Sequence, residues 1–261
     1  MKKIIHISDL HFGTEEKKIV DALVHDINSA CPDLLIVSGD LTQRAKSEQY
    51  IAAAEFLEKI NFPQIVVPGN HDISLWNIFR RFFRPLKKFR KYISDEEFPI
   101  YKDEEMIIVG INSARSLTIK SGRISIKQIE HLKNIFCGVP EPRFKGVVIH
   151  HNLIPSPEVK KHKMLGRSGL FIKELNDCGI DMMFSGHLHK GYSGDVQKFY
   201  KDANSIIAAQ AGTATSNRVR GEENSYNLIE VKSEETIIKI MRFKNEKYFL
   251  DTAKSFKREN F

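Results

Sequence analysis

Five apolar runs in this chain each end in residues able to ligate a metal. "KIIHIS" leads into Asp9 and His11, "LLIVSG" into Asp40, and "QIVVPG" into Asn70, His71 and Asp72. "KGVVI" is followed by His150 and His151, and "DMMFSG" by His187 and His189. Each taken alone has an ordinary explanation, because an Asp after a strand commonly caps a helix or forms an Asx turn. Capping does not account for an Asp-x-His pair, a His-x-His pair and an Asn-His-Asp triplet in one register, whereas metal ligation does. Six of the 10 histidines stand at these ends, while His6, His25, His131 and His162 read as packed or surface residues.

Imidazole, carboxylate and amide donors without a thiolate suit Mn, Fe, Zn or Co rather than a structural zinc cage. The candidate ligands are Asp9, His11, Asp40, Asn70, His150, His187 and His189, too many for one catalytic ion that keeps positions open. They suit two divalent or mixed-valence ions about 3.5–4 Å apart that share one carboxylate, the arrangement of two-metal phosphoester chemistry. Two such ions carry more positive charge than Asp9 and Asp40 return, so the site attracts phosphate.

Ligands at strand ends need strands whose carboxyl ends converge, as in open α/β sheets. Short β-branched runs near 3–8, 34–38, 64–67, 106–111, 145–150 and 181–185 alternate with helical spacing over 15–30, 46–60, 125–136 and 168–177. Ser125 is the expected N-cap of the third helix. After Gly191 only strands are expected, near 195–200, 205–210, 226–232 and 236–243, with antiparallel pairing. The final segment from Lys244 reads as a short helix or a frayed tail. With no repeat and no separating linker, residues 1–261 are expected to form one domain.

Taken together, "DLH" at 9–11, "GD" at 39–40, "GNHD" at 69–72, "HH" at 150–151 and "GHLH" at 186–189 resemble the signature of the calcineurin-like metallophosphoesterases. "GDLT", "GNHD" and "GHLH" are similar, with less specificity, to class III cyclic nucleotide phosphodiesterases. The resemblance implies an α/β fold, a four-layer α/β/β/α sandwich of two mixed sheets, and the strand-only C-terminal third is consistent with its second sheet. It also implies that Asp9, His11, Asp40 and His189 hold the first ion, and that Asp40 bridges to a second held with Asn70, His150 and His187. His71, left without a metal, becomes the candidate to contact the phosphoryl group and protonate the leaving oxygen. Asp72 either orients that imidazole or stabilises the turn. Of the adjacent pair, His150 directly ends its run and is taken as the ligand, leaving His151 to face substrate or support the site.

The implied activity is hydrolysis by a metal-bridging hydroxide, with a cyclic nucleotide or related small phosphodiester as leading substrate. Phosphoprotein phosphatases continue the second motif as an acid-arginine-glycine run. Here it reads "GDLTQRA", which argues against that branch. Arg44 in that stretch, and Asn112, Arg115, Arg218 and Arg220 in later loops, are further candidates for substrate contact, with solvated turns as the alternative.

The remaining bulk properties are those of an ordinary globular chain: 261 residues, 41% hydrophobic and 28% charged, without an apolar run that would span a membrane. The N-terminus turns polar too early for a signal peptide, so a cytoplasmic location is expected. Cys31, Cys137 and Cys178 are widely separated and odd in number, so small buried hydrophobes are expected rather than a disulfide framework.

The net charge of +7 is local: "RRFFRPLKKFRK", residues 80–91, holds that many cations and no acid. Around it, residues 77–93 form a basic aromatic helical insertion that Pro85 should kink or divide. Phe79, Phe82, Phe83, Leu86, Phe89 and Ile93 fall roughly on one face. Three roles fit: a cap packed on the sandwich by its phenylalanines, a substrate lid, or an interfacial helix meeting an anionic membrane. The last makes hydrolysis of a membrane-associated nucleotide-linked lipid the enzymatic alternative, and a peripheral location with it. Nucleic acid cleavage is less favoured. A membrane or nucleic-acid binding module with a relic metal site is disfavoured, because every expected ligand is present.

Overall fold

Strand β1 (Lys2–Ile7) shows how the layers are built. Its side chains alternate: Ile5 and Ile7 join a core cluster shared with helices, while Ile4 joins a second cluster shared with another sheet. The structure is a computed structural model that describes residues 1–75, 77–138, 143–155, 164–201, 203, 206–217 and 223–258, without the side chain of Arg80. His162, Arg218 and Arg220 lie outside the described residues.

After β1 come α1 (Lys17–Ala30), β2 (Leu34–Val37), α2 (Ser47–Glu58) and β3 (Gln64–Val66). Then follow α3 (Ile78–Phe83), α4 (Lys87–Tyr92), β4 (Ile100–Lys102), β5 (Met106–Gly110), α5 (Ile126–Phe136), β6 (Phe144–Val148), α6 (Ser168–Asn176) and β7 (Met182–Ser185). The chain closes with β8 (Tyr192–Asp195), β9 (Ile207–Gln210), β10 (Ser225–Val231), β11 (Glu235–Lys244) and β12 (Lys247–Lys257).

Two six-stranded sheets result, ordered β12-β11-β10-β1-β2-β3 and β4-β5-β6-β7-β9-β8. Both are mixed: β1, β2 and β3 run parallel while β10 joins β1 antiparallel, and β5, β6, β7 and β9 run parallel between antiparallel edges. One core cluster lies between the first sheet and α1, α2 and α4, a second between the two sheets, and a third between the second sheet and α5 and α6. This is the expected α/β/β/α sandwich. Ser125 caps α5 as read, its Oγ accepting from the Gln128 amide at 3.2 Å while Gln128 Oε1 accepts from the Ser125 amide at 2.8 Å.

Several expectations are corrected. The C-terminal third does not make up the second sheet: β8 and β9 join it beside β7, whereas β10 returns to β1 and carries β11 and β12 into the first. The strand expected at 195–200 lies earlier, at Tyr192–Asp195, and gives way to a 3-10 turn at Val196–Lys198 where Asp195 accepts from the Gln197 amide at 2.8 Å. Nor is the final segment a helix or a frayed tail. It is β12, joined to β11 by a two-residue turn in which Asn245 and Glu246 have φ of 51° and 62°, the geometry that lets a tight hairpin follow the strand twist. Cys137 and Cys178 form a disulfide where the ends of α5 and α6 lie side by side, and Cys31 is exposed, so only Cys178 is buried as expected. The insertion does divide at Pro85, into α3 and α4.

Candidate metal centre

The ends of β1, β2, β3, β6 and β7 open on one edge of the sandwich, and each turns sharply there. Asp9, His11, Asp40, His187 and His189 have φ of 53°, 48°, 53°, 74° and 62°, a left-handed conformation that costs a side-chain-bearing residue roughly 1–3 kcal/mol. Bonds between neighbouring turns hold it: the amides of Asp9 and His11 donate to the carbonyls of Gly39 and Asp40 at 3.0 and 2.9 Å, and the His187 amide donates to Asp9 Oδ2 at 2.9 Å. Bare backbone is required where the turns meet. A Cβ on Gly69 would strike the Asp40 carboxylate, and one on Gly122 would strike the His151 ring.

These turns bring the strand-end donors into contact. His11 Nε2 lies 3.5 Å from Asp9 Oδ1 and 3.9 Å from Asp40 Oδ2. His189 Nε2 lies 3.5 Å from Asp9 Oδ1, and His150 Nε2 lies 3.3 Å from Asp40 Oδ2 and 3.1 Å from Asn70 Oδ1. The rings of His150 and His187 have centroids 5.1 Å apart. Donor atoms within 4.8 Å of one another form four overlapping groups: Asp9 with His11 and His189, His11 with Asp40 and His71, Asp9 with Asp40 and His150, and His150 with His151 and His187.

Bonds on the far side of the imidazoles decide which nitrogen faces inward. His150 Nδ1 donates to the Ser38 carbonyl at 2.8 Å, which turns Nε2 toward Asp40 and Asn70. His71 Nδ1 donates to the Gln43 carbonyl at 2.9 Å, and His189 Nδ1 lies 2.7 Å from Thr213 Oγ1. His151 is arranged oppositely. Ser113 Oγ accepts from the amides of His150 and His151 at 3.2 and 3.3 Å, so its own hydrogen goes to His151 Nδ1 at 2.9 Å. The proton of His151 therefore sits on Nε2, a buried atom without a hydrogen-bond partner.

Electrostatics agree with that division. Burial works against both carboxylates, yet His189 and His11 at Asp9, and His150 at Asp40, outweigh it and hold both below the usual carboxylate range. For His150, burial is outweighed by the Asp40 carboxylate, which lifts it to about 9. Burial, with His150 and His187 alongside, pushes His151 well down and keeps it neutral. The donors fit a divalent cation: Asp9 Oδ1 and both ring nitrogens of His11 are buried with no hydrogen-bond partner, in a pocket that favours positive charge.

The other candidates fare differently. Of the two roles offered for Asp72, its hydrogen bonds match the turn: it accepts from the amides of Gly69 at 2.9 Å, Leu41 at 3.1 Å and Thr42 at 2.9 Å and from the Thr42 hydroxyl at 3.0 Å. Burial and the nearby Asp40 charge raise it to about 6 against the pull of those amides. Arg44 is exposed, and its side chain makes no hydrogen bond among the described residues. Asn112 turns its Oδ1 to the Ala114 amide at 2.8 Å, while its neighbour Ser113 reaches the histidines. Ser113, Thr213 and the carbonyls of Ser38 and Gln43 are absent from the sequence reading. The one available signal was the pair of short polar residues after "IIVGI", where another strand ends.

Residues 2–191 match the calcineurin-like phosphoesterases, and the chain belongs to that family. It is a metal-dependent phosphoesterase, with a donor set that calls for divalent ions. Among named relatives, it is 27% identical over 73% of its length to a probable cyclic nucleotide phosphodiesterase of Pseudoalteromonas sp., covering 72% of that protein. It is 25% identical over 60% of its length to the 3',5'-cyclic adenosine monophosphate phosphodiesterase CpdA of Haemophilus influenzae, of which the match spans 55%. A solved dimetal phosphatase from Danio rerio shares the fold, with a TM-score of 0.67 at 10% identity over 98% of each chain.

Proposed function

We propose that the chain is a binuclear phosphodiesterase acting on a cyclic nucleotide or a related small phosphodiester. The observation that carries this reading is that Asp40 Oδ2 lies 3.3 Å from His150 Nε2 and 3.9 Å from His11 Nε2, within reach of both candidate ligand sets, which supports it as the shared carboxylate. In this reading Asp9, His11, Asp40 and His189 hold one ion, and Asp40, Asn70, His150 and His187 the other, with Mn, Fe, Zn or Co suiting the donors. Such ions, when bound, supply Lewis acidity toward phosphoryl oxygens and lower the pKa of water.

The chain's own residues divide the rest of the work. His71, half-buried and held at Nδ1 by the Gln43 carbonyl, donates a proton from Nε2 to the leaving oxygen when doubly protonated. His151, whose Nε2–H is buried and unpartnered, donates a hydrogen bond to a phosphoryl oxygen rather than binding metal. Asp72 acts on the reaction only by fixing the turn that carries Asn70 and His71. The names of the two relatives support a cyclic nucleotide as the first substrate to try.

The test is hydrolysis by the Mn-loaded chain across bis(p-nitrophenyl) phosphate, p-nitrophenyl phosphate and cyclic AMP. The diester and cyclic AMP should turn over, and His71→Ala should lower kcat by about 10²–10⁴-fold at unchanged metal content. A fully loaded chain that hydrolyses only the monoester would contradict the phosphodiesterase reading.

A further inference from the structure

The two halves of the insertion have similar composition and opposite burial. At α4, the N-cap Leu86 and Phe89 pack into the cluster beneath α2, leaving Lys87, Arg90 and Lys91 in solvent. In α3 the phenylalanines face outward: Ile78, Phe79, Phe82 and Phe83 are 71%, 66%, 49% and 72% exposed. The loop after Ser116 adds Leu117 and Ile119, at 71% and 58%.

A single buried cation unites these surfaces. The Arg81 guanidinium donates to the carbonyls of Ser116 at 2.7 Å, Thr118 at 2.8 Å and Ser74 at 3.3 Å, fastening α3 to the loop that carries Leu117 and Ile119. Beside α3, Arg84, Lys87, Lys88 and Lys91 line a cleft of about 190 Å³ between the insertion and the body. Its one acid, Asp72, is engaged by backbone amides, and neither Arg84 nor Lys87 has a carboxylate partner among the described residues. Phenylalanine and aliphatic tips flanked by uncompensated cations match an anionic bilayer at the depth where headgroups meet acyl chains.

Other occupants fit less well. Ile78, Leu117 and Ile119 offer no π-face to a nucleic acid base, and the rings of Phe79 and Phe83 pack on each other, with centroids 4.8 Å apart. A second copy docked about a two-fold axis would bring the basic clusters together. No helix among the described residues is long and apolar enough to cross a membrane, so the contact is superficial.

We infer that α3, with Leu117, Ile119 and the cations of α4, docks the protein on an anionic lipid surface. Phe79, Phe82 and Phe83 enter the acyl boundary, and Arg84, Lys87 and Lys91 meet the headgroup phosphates. This contact stands apart from catalysis, because none of these residues belongs to the strand-end cluster.

The test is sedimentation of the full chain with vesicles of phosphatidylcholine alone, or mixed in equal parts with phosphatidylglycerol. Binding should require the anionic lipid and fall about tenfold or more in Lys87→Glu/Lys91→Glu and in Phe79→Ser/Phe83→Ser. Both pairs are exposed, so each variant should keep wild-type unfolding and hydrolysis of bis(p-nitrophenyl) phosphate. Failure to bind anionic vesicles would overturn the inference. So would binding undiminished by the phenylalanine changes, capture of a single-stranded oligonucleotide in preference to vesicles, or a dimer in light scattering that those changes dissolve.

Discussion

The strand-end cluster and α3 invert the ordinary burial rule in opposite senses. At the cluster, Asp9, Asp40, His11, His150 and His189 are charged or polar and almost wholly inside; at α3, phenylalanines stand in water. They also differ in how firmly they are held. Asp9, Asp40 and His150 are each held by a bond from another strand end and face glycine backbone without room for a Cβ, whereas α3 is fastened chiefly through Arg81. A buried charge survives only where its surroundings determine its position, while an exposed ring needs no such support and is free to meet something outside the chain.

That contrast predicts intolerance in one place and indifference in the other. The largest effect is expected at the shared carboxylate: Asp40→Ala should abolish phosphodiester hydrolysis and metal retention, and Gly69→Ala should do nearly the same by driving a methyl into that carboxylate, as metal analysis and turnover would register. Next is the packing difference inside the insertion. Phe89→Ala should cost about 3–5 kcal/mol in urea unfolding, against less than about 0.5 kcal/mol for Phe83→Ala. Equal losses would mean that α3 packs as α4 does.

Smaller effects separate the adjacent histidines. Ser113→Ala removes the hydroxyl that fixes the His151 tautomer and should lower kcat by about 10–100-fold at unchanged metal content. Loss of metal instead would move His151 among the ligands. The smallest effect belongs to His6, whose ring faces the other sheet between Ser38 Oγ at 2.9 Å and Asn227 Nδ2 at 3.3 Å. Burial lowers it to about 3, so it stays neutral in the fold while the unfolded chain takes up a proton below its ordinary 6.5. Its contribution is complete above that pH and declines as pH falls toward 3. His6→Gln should make the acid slope of stability shallower by up to about 1.4 kcal/mol per pH unit.

What the sequence revealed follows the same contrast. The candidate ligands were legible because each follows an apolar run, a position with few uses besides capping and coordination. Their supports were not: Ser38 and Gln43 act through carbonyls, which have no side-chain signature, and Ser113 and Thr213 are small hydroxyl residues far in sequence from the rings they hold. The layered fold could be read from alternating runs, but the return of β10 to β1 depends on long-range pairing that no local pattern encodes. β12 escaped notice because most of its residues are exposed, leaving no alternation to see, and its turn is Asn-Glu rather than the commoner Asn-Gly. In the insertion, helical spacing put all the phenylalanines on one face, but the break at Pro85 divides them, leaving Phe79, Phe82 and Phe83 exposed and Phe89 buried, a difference that periodicity does not encode.

The central claim is that the strand ends form one two-ion site for phosphodiester cleavage. Titrating the metal-free chain with Mn²⁺ while following bis(p-nitrophenyl) phosphate hydrolysis tests it most directly. Activity should climb to a plateau at about two equivalents per chain. A plateau reached at one equivalent, or a saturated chain that leaves the diester intact, would contradict it.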